Sequence, residues 1–240
     1  MKNLPALLLM ATLSPGVSLA EAPAWNEIKG ELKTALGTKG DPVRGQALFE
    51  PCTGCHRADA SGRTSGAYPR LSGQHQSVLI KQIADIRSGK RSNPKMELFA
   101  DEHVLNAYEI ADIAVYLNAL PIHATNGKGP GKAVARGEEI YSGNCVKCHG
   151  DEGEGDAEKF YPMVAAQHFK YLLRELKMIR DGDRKNANPE MVKVVKAYND
   201  HDLEAVADYM SNFGPPKKPE AAAPEAPEVP ETPAAPPATP

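Results

Sequence analysis

The chain has 240 residues, a formal net charge of −3, and 25% charged against 41% hydrophobic residues. Charge this close to balance gives no sign of a nucleic acid or a membrane surface as partner. In chain order, Met1-Lys2-Asn3 precedes an apolar run from Leu4 to Leu13, and Ser18-Leu19-Ala20 places small residues where a signal peptidase reads. The run is interrupted by Pro5 and falls short of the roughly 20 apolar residues that span a bilayer. An exported chain cleaved after Ala20 is expected, rather than an uncleaved anchor, and the periplasm is the expected compartment. Residues 21–40 read as an N-terminal extension.

A helix is expected from Val43 to Glu50, and it leads into Cys52-Thr53-Gly54-Cys55-His56. A second such pentad, Cys145-Val146-Lys147-Cys148-His149, uses the other two cysteines. In this pattern two thiols add to the vinyl groups of a haem, and the following histidine reaches the iron. Exported thiols also form disulfides, but that would leave His56 and His149 unexplained. A four-cysteine zinc site usually sets its pairs about 15 to 20 residues apart, whereas these lie 93 apart. Two covalently attached haem c groups are therefore expected.

Periodicity gives helices at Ser77–Arg87 and from about Asn106 to Ala119, the latter stopped by Pro121. The second half repeats them at Phe169–Ile179 and Leu203–Phe213, and almost nothing reads as strand. The repeat is explicit in register: Tyr68-Pro69 falls on Tyr161-Pro162, Gln74-His75 on Gln167-His168, Arg91 on Arg184, and Tyr116 on Tyr209. Two all-α domains follow, at 41–123 and 133–214, with a turn-rich linker at 124–132. Domains near 80 residues have little core of their own, so the haem must serve as staple as well as cofactor. The Pro/Ala/Glu-rich stretch 215–240 reads as a disordered tail, a spacer or a tether.

Asn93-Pro94-Lys95-Met96 and Asn188-Pro189-Glu190-Met191 keep their pattern although the second copy has gained two residues before it. Met96 and Met191 are thus the candidate second axial ligands, each offered by a rigid loop; His/Met coordination raises the potential and leaves no open site. His75 and His168 start helices, where hydrogen bonding or capping is the expected role. His103, His123 and His201 read as surface residues. The carbonyls of Pro69 and Pro162 are candidates to accept the Nδ1 proton of His56 and His149 and so orient each imidazole; an ordinary turn proline is the alternative.

The Gly-x-x-x-aromatic before each pentad, the Tyr-Pro after it, the Asn-Pro-x-Met and the tyrosine of the last helix resemble two class I cytochrome c domains. Their tandem order, with Tyr-Pro-x-Leu-x-Gly-Gln in the first copy and Arg-x-Gly-x-Arg before each methionine, resembles the di-haem cytochrome c4 family over residues 41–214. The resemblance implies a fold of two tandem domains, each wrapped round its haem, and His/Met ligation in both. It also implies proline carbonyls oriented on the histidines, and first and last helices crossing at Gly45 with Tyr116 and at Gly137 with Tyr209. The sequence departs from the family in its tail and in Val164-Ala165-Ala166 where Leu-x-Gly is expected.

The segments after the pentads carry opposite charge: Arg57, Arg63 and Arg70 in the first, and Asp151, Glu152, Glu154, Asp156 and Glu158 in the second. Either a dipolar molecule that docks redox partners at two ends or a pair of ordinary solvated loops is expected. The expected function is a periplasmic electron carrier of a respiratory chain, between a donor such as a quinol-oxidising cytochrome complex and a terminal oxidase or reductase. The alternative is a non-catalytic electron-transfer subunit of a dehydrogenase that oxidises a sulfur compound or an alcohol. A di-haem peroxidase would need a vacant axial position, which two placed methionines oppose.

Overall fold

The computed structural model describes residues 25–216. The signal sequence expected over 1–20, and all but the first two residues of the tail expected over 215–240, lie outside them. The described residues form eleven α-helices and one short 3-10 turn, and their only β-type pairing is an isolated bridge between Asp156 and Tyr161. None of these helices is long and apolar enough to cross a membrane.

The first half contains α1 (Gly30–Gly37), α2 (Pro42–Phe49), α3 (Thr53–His56), α4 (Gln76–Arg87), α5 (Pro94–Ala100) and α6 (Ala107–Ala119). Asp41 starts α2 by accepting from the Val43 and Arg44 amides, with Pro42 in the first turn where its missing N–H costs nothing. A reciprocal capping box between Asn106 and Glu109 starts α6. The stretch read as an extension joins the first core: Leu32 and Ala35 of α1 are buried with Phe49, Leu79, Ile80, Ile110, Ile113 and Leu117. Glu31 pairs with Arg87 of α4, and the Trp25 ring lies 5.0 Å from the Lys81 ammonium.

The second half contains α7 (Val134–Asn144), α8 (Val146–His149), α9 (Phe169–Asp181), α10 (Pro189–Val195) and α11 (Asp200–Ser211). Its core gathers Ile140, Tyr141, Phe169, Leu172, Leu176, Leu203 and Val206. In both halves the first helix of the repeat crosses the last at a glycine. A Cβ on Gly45 would run into the Asp112 carbonyl and the Tyr116 side chain, and one on Gly137 into the Ala205 carbonyl and Tyr209. These are the two crossings that the resemblance implies.

The halves meet along a seam in which a set of contacts recurs in both directions. The Gln74 carboxamide brackets the Met163 backbone, accepting from its N–H at 3.0 Å and donating to its carbonyl at 3.0 Å. Gln167 brackets Arg70 in the same way, at 2.9 and 3.0 Å. His75 Nε2 lies 2.7 Å from the Glu154 carbonyl, and its repeat mate His168 lies 2.9 Å from that of Ser61. Arg91 donates to Glu175 and Arg184 to Gln82. Donors and acceptors alike are repeat mates, so the seam is self-complementary in the manner of a two-fold dimer.

Candidate functional site

Each pentad is a single helical turn. Residues three apart on a helix share a face, so the turn that ends at His56 sets Cys52 beside Cys55, and that ending at His149 sets Cys145 beside Cys148. All four are free thiols, half-buried. Burial raises the Cys52 thiol, with a smaller push from Cys55, and it pushes Cys145 up to about 11, again with a smaller push from Cys148. Such protonated thiols are unlike the low-pKa cysteines of redox exchange motifs. The neighbouring Cys55 thiol raises the Tyr68 hydroxyl, and burial followed by the Cys148 thiol raises that of Tyr161.

His56 and His149 are buried, and their Nδ1 atoms lie 3.1 Å from the Pro69 carbonyl and 3.0 Å from that of Pro162. A carbonyl only accepts, so Nδ1 carries the proton in each ring. Burial lowers both imidazoles and outweighs the opposing carbonyl bond, which keeps them neutral. Each ring therefore holds an Nε2 lone pair in a fixed orientation, the form in which imidazole binds a metal. Neutral oriented histidines beside paired thiols fit a covalently attached haem.

The Asn-Pro-x-Met segments are helix starts rather than loops. Asn93 accepts from the Met96 amide and Asn188 from the Glu190 amide, and Pro94 and Pro189 each fill the first helical position. The same cap and proline thus hold Met96 and Met191 at the third position of α5 and α10. The start of α5 faces the first pentad, for the Lys95 ammonium lies 5.6 Å from the Tyr68 ring, itself edge-on to His56 at 6.0 Å. Met191 and Cys145 border the same core cluster.

His75 and His168 do not cap their helices; the seam claims them. His168 also accepts from the Gly127 amide at Nδ1, 3.0 Å away, and donates from Nε2 to Ser61. Burial lowers it, the Ser61 bond opposes that, and Arg70 and Arg57 lower it further, so it is neutral and occupied at both nitrogens. His103, His123 and His201 are exposed.

The charged segments also differ from expectation. Arg57 and Arg63 are exposed, but Arg70 is 2% exposed and lies in the seam. Opposite them, Asp151, Glu152 and Glu158 are exposed, while Asp156 pairs with Lys159 at 2.7 Å. Sequence reasoning missed the pairing of each Tyr-Pro tyrosine with a pentad thiol and the clamp role of Gln74 and Gln167. The only available signal was that these residues recur at the same offset in both copies.

The profile of the cytochrome c family matches residues 42–121 and 134–213. The thiosulfate dehydrogenase electron acceptor of Stutzerimonas stutzeri (strain A1501) is 36% identical over 173 residues, 68% of this chain and 79% of that protein. Cytochrome c4 of Pseudomonas aeruginosa is 30% identical over 181 residues, 71% of this chain and 88% of its own length. Among solved structures, reduced recombinant cytochrome c4 from Pseudomonas stutzeri superposes with a TM-score of 0.65 at 25% identity, covering 72% of this chain and 99% of that one.

Proposed function

Because the chain belongs to the cytochrome c family, with two of its domains in tandem, we propose specific roles for its residues in a di-haem electron carrier. Cys52 and Cys55 bind the first haem c and Cys145 and Cys148 the second. His56 and His149 are the proximal ligands, and Met96 and Met191 complete the coordination. When bound, each haem supplies a one-electron ferric/ferrous couple. The carrying observation is the pair of Nδ1–carbonyl bonds, which leave both Nε2 lone pairs free on fixed rings. With Met96 and Met191 as second ligands no position would remain for substrate, so the residues would support electron carriage rather than catalysis at the metal.

The ligand assignment is tested by the near-infrared methionine-to-iron charge-transfer band of the oxidised protein. Two haems' worth of intensity is expected, and Met191→Ala should halve it and let the second iron bind cyanide or carbon monoxide. An unchanged band in that variant removes Met191 from the site. The cleavage proposed after Ala20 is checked by N-terminal sequencing of the exported protein.

In the first reading of its place, the protein takes electrons from a quinol-oxidising cytochrome complex and gives them to a terminal oxidase or reductase in the periplasm. A second reading is favoured by the 36% identity to a thiosulfate dehydrogenase electron acceptor: the donor is a periplasmic dehydrogenase that oxidises a sulfur compound. Stopped-flow reduction separates them. Fast reduction by thiosulfate dehydrogenase with thiosulfate, and slow reduction by the quinol-oxidising complex, would reverse their order.

A further inference from the structure

The peptide group between Pro69 and Arg70 is held at both ends, and by different halves of the molecule. Its carbonyl oxygen lies 3.1 Å from Nδ1 of His56, while its N–H donates to Oε1 of Gln167 at 2.9 Å. The group between Pro162 and Met163 repeats the arrangement: its carbonyl lies 3.0 Å from Nδ1 of His149, and its N–H donates to Oε1 of Gln74 at 3.0 Å. Each pentad histidine is thus linked, through one peptide group, to a carboxamide of the opposite half. Gln74 and Gln167 are buried, and other bonds stop their carboxamides from turning. Their Nε2 atoms donate to the Met163 and Arg70 carbonyls, both at 3.0 Å, and their Oε1 atoms also accept from the amides of His75 and His168.

A peptide group carries polarisation from one end to the other. An acceptor on the N–H shifts electron density toward the carbonyl oxygen, and hydrogen bonds in a chain strengthen one another by roughly 10–30% each. Both histidines and both glutamines are buried, so solvent screens the chain little. A more negative carbonyl takes a stronger bond from Nδ1–H and raises the basicity of the imidazole, as the outer partners of metal-binding histidines do. A more basic imidazole gives more charge to iron, which favours the ferric state and lowers the potential. The carboxamides are therefore aligned to act on histidines that they do not touch.

We propose that Gln167 and Gln74 are positioning residues that tune the two reduction potentials crosswise: Gln167, in the second half, lowers the potential of the haem at His56, and Gln74, in the first half, lowers that of the haem at His149. The inference rests on His56 and His149 holding the two haems. Each half completes the hydrogen-bond chain behind the other's histidine, so the seam sets the potentials as well as the distance between the centres.

The test is redox titration of the full-length holoprotein, with haem methyl resonances in NMR assigning a potential to each haem and the Nδ1–H resonances of the reduced protein reporting the histidine bonds. Gln167→Met keeps the reach of the side chain and removes the acceptor. It should shift the first haem at least threefold toward its reduced form, about 28 mV for one electron, move the His56 Nδ1–H resonance upfield, and leave the second haem within twofold. Gln74→Met should do the same to the second haem and His149. Gln167→Glu restores an acceptor, so the His56 resonance should return to its original position or pass it downfield. Equal shifts at both haems, a shift confined to the half that carries the substitution, or a first haem harder to reduce in Gln167→Met would overturn the proposal. So would an unmoved Nδ1–H resonance, or a lower melting temperature with both potentials unchanged. Should Gln167→Met not fold, Gln74→Met and Gln167→Glu decide by the same readouts. Failure to find two histidine rings shifted upfield by a haem ring current in the unmodified reduced protein would instead indict the ligand assignment.

Discussion

The two halves close the same fold with different means. The first leans on an added helix, as α1 inserts Leu32 and Ala35 beside Phe49 and Ile110. The second has no such helix and packs an aromatic trio instead: Tyr141 and Tyr209 each lie 5.0 Å from Phe213 and 5.6 Å from one another. The Tyr141 hydroxyl also donates to the Gly150 carbonyl at 2.7 Å, where the first copy has Phe49 and no hydroxyl. What both share is the glycine crossing and the pentad turn. The repeat therefore keeps what positions the histidines and lets the rest of the core vary.

The largest effect should come from the shared element. Gly45→Ala and Gly137→Ala each force a Cβ into backbone across the crossing, at a cost of about 3 kcal/mol. Denaturation followed at each haem should show the two to be equivalent; a benign Gly45→Ala would mean that α1 lets the first crossing yield. Next, Leu32→Ala should cost about 2 kcal/mol and loosen the first half alone, read as an earlier Trp25 fluorescence transition with the second haem's signal unmoved. Tyr141→Phe should cost about 1 kcal/mol in the second half only, measured by urea unfolding. The smallest effect concerns a backbone exchange. Ala166 takes a left-handed φ of 52° where its repeat mate Gly73 has 71°. Ala166→Gly should stabilise by about 0.5 kcal/mol by relieving that strain, and a loss of stability would show that its methyl group packs usefully.

The pentads were legible because covalent attachment fixes their spacing whatever surrounds them. The long helices were legible from apolar periodicity: α4 was expected from Ser77 and begins at Gln76, and α6 was expected from Asn106 and begins at Ala107. The starts of α5 and α10 were in plain view as Asn followed by Pro, a cap and a first-turn proline, yet seven-residue helices are too short for periodicity to declare them. Helix α1 lacks a side-chain cap and buries only two residues, so nothing in its pattern ties it to a core. Arg70 looked like its neighbours Arg57 and Arg63, because burial of a cation depends on carbonyls nearly 100 positions away. The seam was hidden for the same reason.

The carboxamides of Gln74 and Gln167 grip N–H and C=O groups that every amino acid except proline presents alike. The two faces consequently recognise each other without reading what projects at positions 70 and 163. After duplication, substitutions there could accumulate without parting the halves.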